Sequence, residues 1–184
     1  MPTLPTGRAL LDAPAILAQT GLGLDMHYAD FGSGTLGHFV FPATDMVGPN
    51  GQVYAVDILK GALAGIESRA KMEKVNNLKA VWGDIERLKG VDVPEHSVDL
   101  ISMVNITGLL KKSPAVFEEM KRLLKPGGQL LLVDWQIAGA SFGPPAEKRV
   151  SAETIKPLAE QAGFVLENSF PAGPHHWGLI FKLA

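Results

Sequence analysis

A chain of 184 residues is the usual size of one domain and can bury about two-thirds of the surface that its unfolded form exposes. Hydrophobic residues make up 46% and charged residues 20%, which excludes disordered and collagen-like chains. The net charge of -2 supplies no broad positive field, so no nucleic-acid partner is expected. The absence of cysteine excludes thiolate nucleophiles, disulfides and Cys-based zinc sites; it fits a reducing compartment, and the cytoplasm is the expected location. No apolar run reaches the roughly 18 residues of a spanning helix, and the start MPTLPTGRALLDAPAIL lacks the form of an export signal, so no membrane association is expected.

The sequence reads as a single domain over 1–184, opening with an N-terminal helical segment over 1–25. Asp12 caps a short helix through Leu17, and Gly21 and Gly23 punctuate its end before a first strand, His27 to Phe31. A helix is predicted across Leu36, Phe39, Val40 and Met46, with Pro42 as a local irregularity. The turn Gly48-Pro49-Asn50-Gly51 leads to a buried second strand, Gln52 to Asp57, whose apolar run sits between polar ends.

A long helix over about Leu59 to Lys74 precedes strands at Leu78 to Gly83 and Val98 to Val104. Ser113 before Pro114 fits an N-cap with proline at the first helical position, and the helix runs to Leu124, with Lys125-Pro126-Gly127-Gly128 as its stop. Leu130 to Val133 forms a fifth strand ending at Asp134. Residues 136–150, with Gly139, Gly143, Pro144 and Pro145, read as a functional loop past that strand's carboxyl end. Ser151 and Thr154 open a helix to Ala162 that Gly163 closes. Two terminal strands follow, Phe164 to Phe170 and Trp177 to Leu183, with Pro171, Gly173, Pro174, His175 and His176 in their connection. Short β-like runs alternating with longer helical ones specify an α/β fold.

Chemistry concentrates at strand ends. Asp30-Phe31-Gly32-Ser33-Gly34-Thr35-Leu36-Gly37 lies between a strand and a helix, where glycines let backbone approach a ligand and a helix N-terminus offers free N–H groups; the same pattern also serves as a tight connection. About 20 residues later Asp57 ends the second strand, placed to accept both hydroxyls of an adenosine ribose, or else to cap the following helix. Gly83-Asp84-Ile85 offers an acid for an adenine amino group and an apolar residue for its ring, again with helix capping as the alternative.

In this order, ADFGSG, VGPNGQVYAVDI, VWGDIE, SVDLISMVN and LKPGGQLLLVDW resemble the class I S-adenosylmethionine (SAM)-dependent methyltransferases, more narrowly the small bacterial and archaeal members similar to quinone-biosynthesis enzymes. The resemblance covers roughly residues 10 to 183. It implies a Rossmann-like, doubly wound seven-stranded sheet, mostly parallel with an antiparallel last strand, and SAM as cofactor across the carboxyl ends of the first strands. It also implies that Asp30, Gly32, Ser33 and Gly34 hold the methionine part, with Asn105 beside it. Asp57 and the adjoining Ile58 take the ribose side, and Asp84 and Ile85 the adenine. One position departs from the pattern: the third glycine comes at Gly37 rather than at Leu36, which leaves a noncatalytic SAM-binding protein as an alternative.

The acceptor side is expected to be built from the amino terminus, the region Asn105 to Leu110 and the loop 136–150, with Trp135 and Phe142 as walls of a pocket for a small or planar organic acceptor. A protein acceptor is the other option, and the missing cysteines argue against thiol-bound arsenite. His38, Asp134, His175 and His176 are the candidates for a catalytic role, although His38 also fits a solvent-facing helix position and the His175–His176 pair an exposed turn. No single histidine is expected to be indispensable, because positioning supplies much of the catalysis. The histidines have no metal-ligand spacing, and no metal is expected. A nicotinamide-dependent oxidoreductase shares the glycine loop and the strand-two acid, but there is no Tyr-x-x-x-Lys pair, and Asp84 would have no function in it.

Overall fold

The computed structural model describes residues 10–138 and 141–184; residues 1–9 of the N-terminal segment, and Gly139 and Ala140 of the 136–150 loop, lie outside the described residues. Seven strands form one sheet: β1 (His27–Phe31), β2 (Gln52–Asp57), β3 (Leu78–Trp82), β4 (Val98–Val104), β5 (Leu124–Trp135), β6 (Phe164–Gly173) and β7 (His176–Leu183). Their order is β3-β2-β1-β4-β5-β7-β6. The first five pair in parallel, and β7 runs antiparallel to both β5 and β6. The chain walks outward from β1 to β3, then crosses back to β4, so the crevice beyond the carboxyl ends of β1 and β4 is the topological switch point where such sheets bind ligands.

Helices α1 (Ala13–Ala18), α2 (Val40–Val47) and α3 (Lys60–Glu73) cover one face, and α4 (Leu109–Lys112), α5 (Ala115–Leu123) and α6 (Ala152–Gln161) the other. Strand alternation divides the core accordingly: Leu130 and Leu132 of β5 pack toward α5 and α6, while Leu131 and Val133 pack toward α1 and α2. Two of the three expected N-caps form; α5 begins at Ala115 behind Pro114 with no side-chain cap, so Ser113 is not its N-cap and Pro114 not its first helical residue. Asp12 accepts from the Ala15 N–H at 3.3 Å and Ser151 from the Thr154 N–H at 3.3 Å.

Four further local expectations are corrected. The helix after the glycine loop begins at Val40, not at Leu36; Leu36 is 77% exposed, and Gly37 turns the chain with φ +57. Pro42 therefore sits in the first helical turn, where N–H groups have no intrahelical partner, and it breaks nothing. Lys125 to Gly128 is a bulge within β5 and not a stop, because Leu124 already pairs with Val98 before the register shifts to Leu100 and Gln129. Strand β6 continues through Pro171 to Gly173, and β7 begins at His176, so only Pro174 and His175 form the turn.

Among the described residues no helix is long and apolar enough to cross a membrane.

Candidate active site

At the end of β1 the backbone turns through Gly32 (φ +75) and Gly34 (φ +63), conformations that glycine adopts without strain. The N–H groups of Gly32 and Ser33 both donate to the Val56 carbonyl, at 2.8 and 3.1 Å, which ties the loop to β2. Asp57, 9% exposed, completes the link: Oδ2 accepts from the Gly34 N–H and Oδ1 from the Leu59 N–H, both at 2.9 Å. The carboxylate thus braces the glycine loop against the start of α3 while its outer edge borders the crevice. The extra residue in the loop is accommodated by turning Leu36 to solvent, and Gly37 lies against Phe41, whose ring leaves no room for a Cβ.

Ser33 is buried, and among the described residues its Oγ has no hydrogen-bond partner. A Cβ added at Gly34 would meet nothing within 4 Å. The loop therefore presents an idle hydroxyl and open backbone, features that suit a polar ligand.

A cavity of about 270 Å³ lies at this edge of the sheet. Of the expected cofactor residues, Gly32, Asp57, Ile58, Asp84 and Ile85 line it; Asp30, Ser33, Gly34 and Asn105 do not. Ile106 and Leu109, just past β4, close one wall, and the Ile106 side chain covers the space a Cβ on Gly32 would need. A larger, more open cleft of about 480 Å³ lies between the C-terminal ends of α2 and α3, at residues such as Thr44, Asp45 and Asn77. It lies by the residue leading into β3, away from the strands' carboxyl ends, and its Asn77 amide is spent on the Thr44 and Gly48 carbonyls. The smaller cavity is the better candidate.

The loop carrying Asp84 and Ile85 is held from behind by a residue that sequence reasoning missed. Glu119 of α5 is fully buried and accepts from the Lys89 N–H (2.7 Å), the Val91 N–H (3.0 Å), and Nη2 and Nε of Arg122 (2.7 and 2.9 Å). Its spacing of three from Val116 and four to Leu123, both buried, was the available signal.

Asp30 is also buried. Ser102 Oγ donates to its Oδ1 at 2.5 Å, and Tyr28 Oη lies 2.5 Å from the same Oγ. Burial raises the Asp30 carboxyl from its ordinary value to about 7, against the lowering effect of the bonds from Ser102 and Tyr28, with the Asp57 charge adding to the rise. A carboxyl with a raised folded pKa retains a proton in the folded chain at pH values where the unfolded chain has lost it. Its stabilising contribution is complete below the unfolded value near 4 and disappears as pH rises through about 7. Asp30→Asn is therefore expected to match the parent in urea unfolding at pH 4 and to exceed it by about 1–2 kcal/mol at pH 8. Equal stability at pH 8 would show that no such buried charge is relieved.

On the other side of the switch point, Asp134 is buried and accepts from Thr107 Oγ1 (2.6 Å), the Thr107 N–H (3.0 Å) and the Trp135 N–H (2.7 Å). Burial raises its pKa despite those bonds. The carboxylate pins the segment after β4, and so Ile106 beside it, to the end of β5. His38 is engaged elsewhere: its Nε2 lies 2.7 Å from the Leu11 carbonyl, joining the glycine-loop side to the amino-terminal segment.

Trp135 and Phe142, the residues expected on the acceptor side, touch each other but do not line the 270 Å³ cavity. Trp135 is buried, Phe142 meets it edge-on with centroids 5.8 Å apart, and His175 meets Phe142 at 5.1 Å. The loop backbone lies on the indole, since a Cβ at Gly143 would fall 2.7 Å from the ring. Arg149 fastens this loop through the carbonyls of Pro144 (2.8 Å), Gln136 (3.1 Å) and Phe142 (2.9 Å), with its guanidinium 5.4 Å from the Trp135 ring. His176 is a correction: it is not in an exposed turn but in β7, paired with Trp135 across the ladder and fully buried. Among the described residues no group of three or more His, Cys, Asp or Glu could hold a metal ion.

A family model described as a methyltransferase domain matches residues 23–166. The chain belongs to the SAM-dependent methyltransferase family. It is 30% identical over 128 residues to nocamycin O-methyltransferase of Saccharothrix syringae, covering 68% of this chain and 41% of that protein. It is 31% identical over 121 residues to a ubiquinone/menaquinone biosynthesis C-methyltransferase of Pseudoalteromonas translucida, covering 65% and 46%. The chain thus spans less than half the length of these curated relatives. Its fold is similar to that of a SAM-dependent methyltransferase from Aquifex aeolicus, with a TM-score of 0.89 at 24% identity over 98% of this chain and 94% of the other.

Proposed function

We propose that this chain transfers a methyl group from SAM to a small organic acceptor. The observation that carries this is the 270 Å³ cavity at the switch point, which gathers Gly32, Asp57, Ile58, Asp84 and Ile85 in a chain of the methyltransferase family. The donor set fits the cofactor: the idle Ser33 hydroxyl and the open space beside Gly34 suit the methionine end, while Asp30, bonded to Ser102, supports the loop from behind. Asp57 suits ribose hydroxyls, and Asp84 with Ile58 and Ile85 an adenine. These features favour SAM over a nicotinamide dinucleotide, for which Asp84 has no role.

When bound, SAM supplies a methyl group already attached to a sulfonium leaving group. The chain's part is then to hold the acceptor in line and exclude water, an effect worth up to about 7–11 kcal/mol for well-aligned reactants. Ile106 and Leu109 would form an apolar wall against the cofactor, and the acceptor side is assigned to the segment that Arg149 fastens through the carbonyls of Gln136, Phe142 and Pro144. A noncatalytic SAM binder was suggested by the position of Leu36; with that side chain directed to solvent, the extra residue does not obstruct the cavity. The lack of cysteine suits work in a reducing cytoplasm, which belongs to the same proposal.

The test is incubation with methyl-labelled SAM and a panel of small aromatic and aliphatic acceptors. The expected result is label in one acceptor class together with stoichiometric S-adenosylhomocysteine. Tight SAM binding with no transfer to any acceptor, small molecule or protein, would favour the noncatalytic binder.

A further inference from the structure

His176 has no evident purpose in the fold. It is fully buried, yet among the described residues neither of its ring nitrogens has a hydrogen-bond partner. A buried polar atom left idle is costly, and a phenylalanine would pack on Trp135 without that cost. The imidazole lies 4.2 Å from the indole of Trp135, centroid to centroid. Burial, then the charges of His175 and Arg149, push its pKa down to about 4, so the ring is neutral near pH 7, with one N–H to give and one lone pair to receive.

The surroundings restrict what it could bind. Trp135 is the last residue of β5 and pairs with His176, so the cluster lies at the same carboxyl edge of the sheet as the cofactor cavity, where such folds bind ligands. Phe142, partly exposed, sets its ring edge-on to the indole, the geometry an incoming planar ring would adopt. Arg149 is nearby, but its N–H groups are bonded to loop carbonyls, so the cluster offers no strong reception to an anion.

We infer that Trp135 and His176 form the acceptor subsite, in which a neutral planar aromatic molecule replaces Phe142 on the indole and hydrogen-bonds through a hydroxyl to the His176 ring. This rests on the methyltransferase proposal above. His176 is here a binding and orienting group. It is not the base for the reaction, for which an imidazole of such low basicity is poorly suited.

The test uses 2-naphthol and naphthalene as probes on the full chain with S-adenosylhomocysteine present, followed by calorimetry and by the ¹⁵N resonances of labelled histidine. The wild-type protein is expected to bind 2-naphthol at least about tenfold more tightly than naphthalene, with a hydrogen-bond shift of a His176 ring nitrogen that naphthalene does not produce. In His176→Phe the preference should fall to about twofold or less, with S-adenosylhomocysteine affinity intact and Tm unchanged or raised by a few degrees, as removal of idle polar atoms implies. Equal binding of the two probes, a preference that survives His176→Phe, or 2-naphthol binding without a His176 shift would overturn the inference while leaving the methyltransferase proposal standing. Failure of S-adenosylhomocysteine itself to bind would remove that proposal, and the inference with it.

Discussion

Glu119→Ala is expected to lower the unfolding free energy by about 3–5 kcal/mol at pH 7, a large part of the 5–15 kcal/mol typical of a domain. The substitution leaves Arg122 without its buried partner and strips the Lys89 and Val91 N–H groups of their acceptor. Burial raises the Glu119 pKa, but the bonds from Arg122, Lys89 and Val91 outweigh it, and the net value is lowered. A depressed folded pKa means that this stabilisation is present above the unfolded value near 4.5 and is lost as pH falls through the folded one. The gap between parent and variant in urea unfolding should therefore narrow as pH falls below the unfolded value near 4.5. Because the same carboxylate supports the loop bearing Asp84 and Ile85, surviving folded variant should also bind S-adenosylhomocysteine less tightly. A loss below about 1 kcal/mol would mean that the loop is held by its other contacts, such as the Asp84 N–H to Gly90 carbonyl bond.

Asp57→Ala should affect both the fold and the cofactor. A carboxylate hydrogen bond is worth about 1.5–3 kcal/mol, so the proposed role of Asp57 at the ribose implies cofactor binding weakened by about tenfold to a hundredfold. The bonds from the Gly34 and Leu59 N–H groups add a second effect: the apo protein should lose about 1–2 kcal/mol of stability, since the glycine loop is no longer braced to α3. Asp57→Asn separates the two. Its side-chain oxygen can retain one backbone bond, so stability should largely recover while affinity stays low. Calorimetry on variants that remain folded by circular dichroism gives the comparison, and undiminished affinity in both would remove Asp57 from the cofactor site.

The strands β1, β2 and β4 were legible to the residue, because each is a buried apolar run bounded by turn or polar residues, and burial on both faces leaves little choice of register. That Gly32, Asp57, Asp84 and Ile85 share one cavity was legible for a related reason: they lie at strand ends that the α/β alternation brings to one side. What the pattern concealed depends on contacts between distant segments. The four residues of α4 are too short to show a helical period. Glu119 resembles its exposed neighbour Glu118 until α5 docks on the 84–91 loop. His176 reads as a turn residue beside Pro174, and only the pairing of β7 with Trp135 places it in the interior. Asp134 looked like a free acid at a strand end, whereas Thr107 and the Trp135 N–H consume its oxygens.

The most direct measurement of the central claim is titration calorimetry of the wild-type protein with S-adenosylhomocysteine and, separately, with NADH. The proposed site predicts a saturable signal of one equivalent for S-adenosylhomocysteine and none for NADH. A saturable NADH signal with no response to S-adenosylhomocysteine would contradict it.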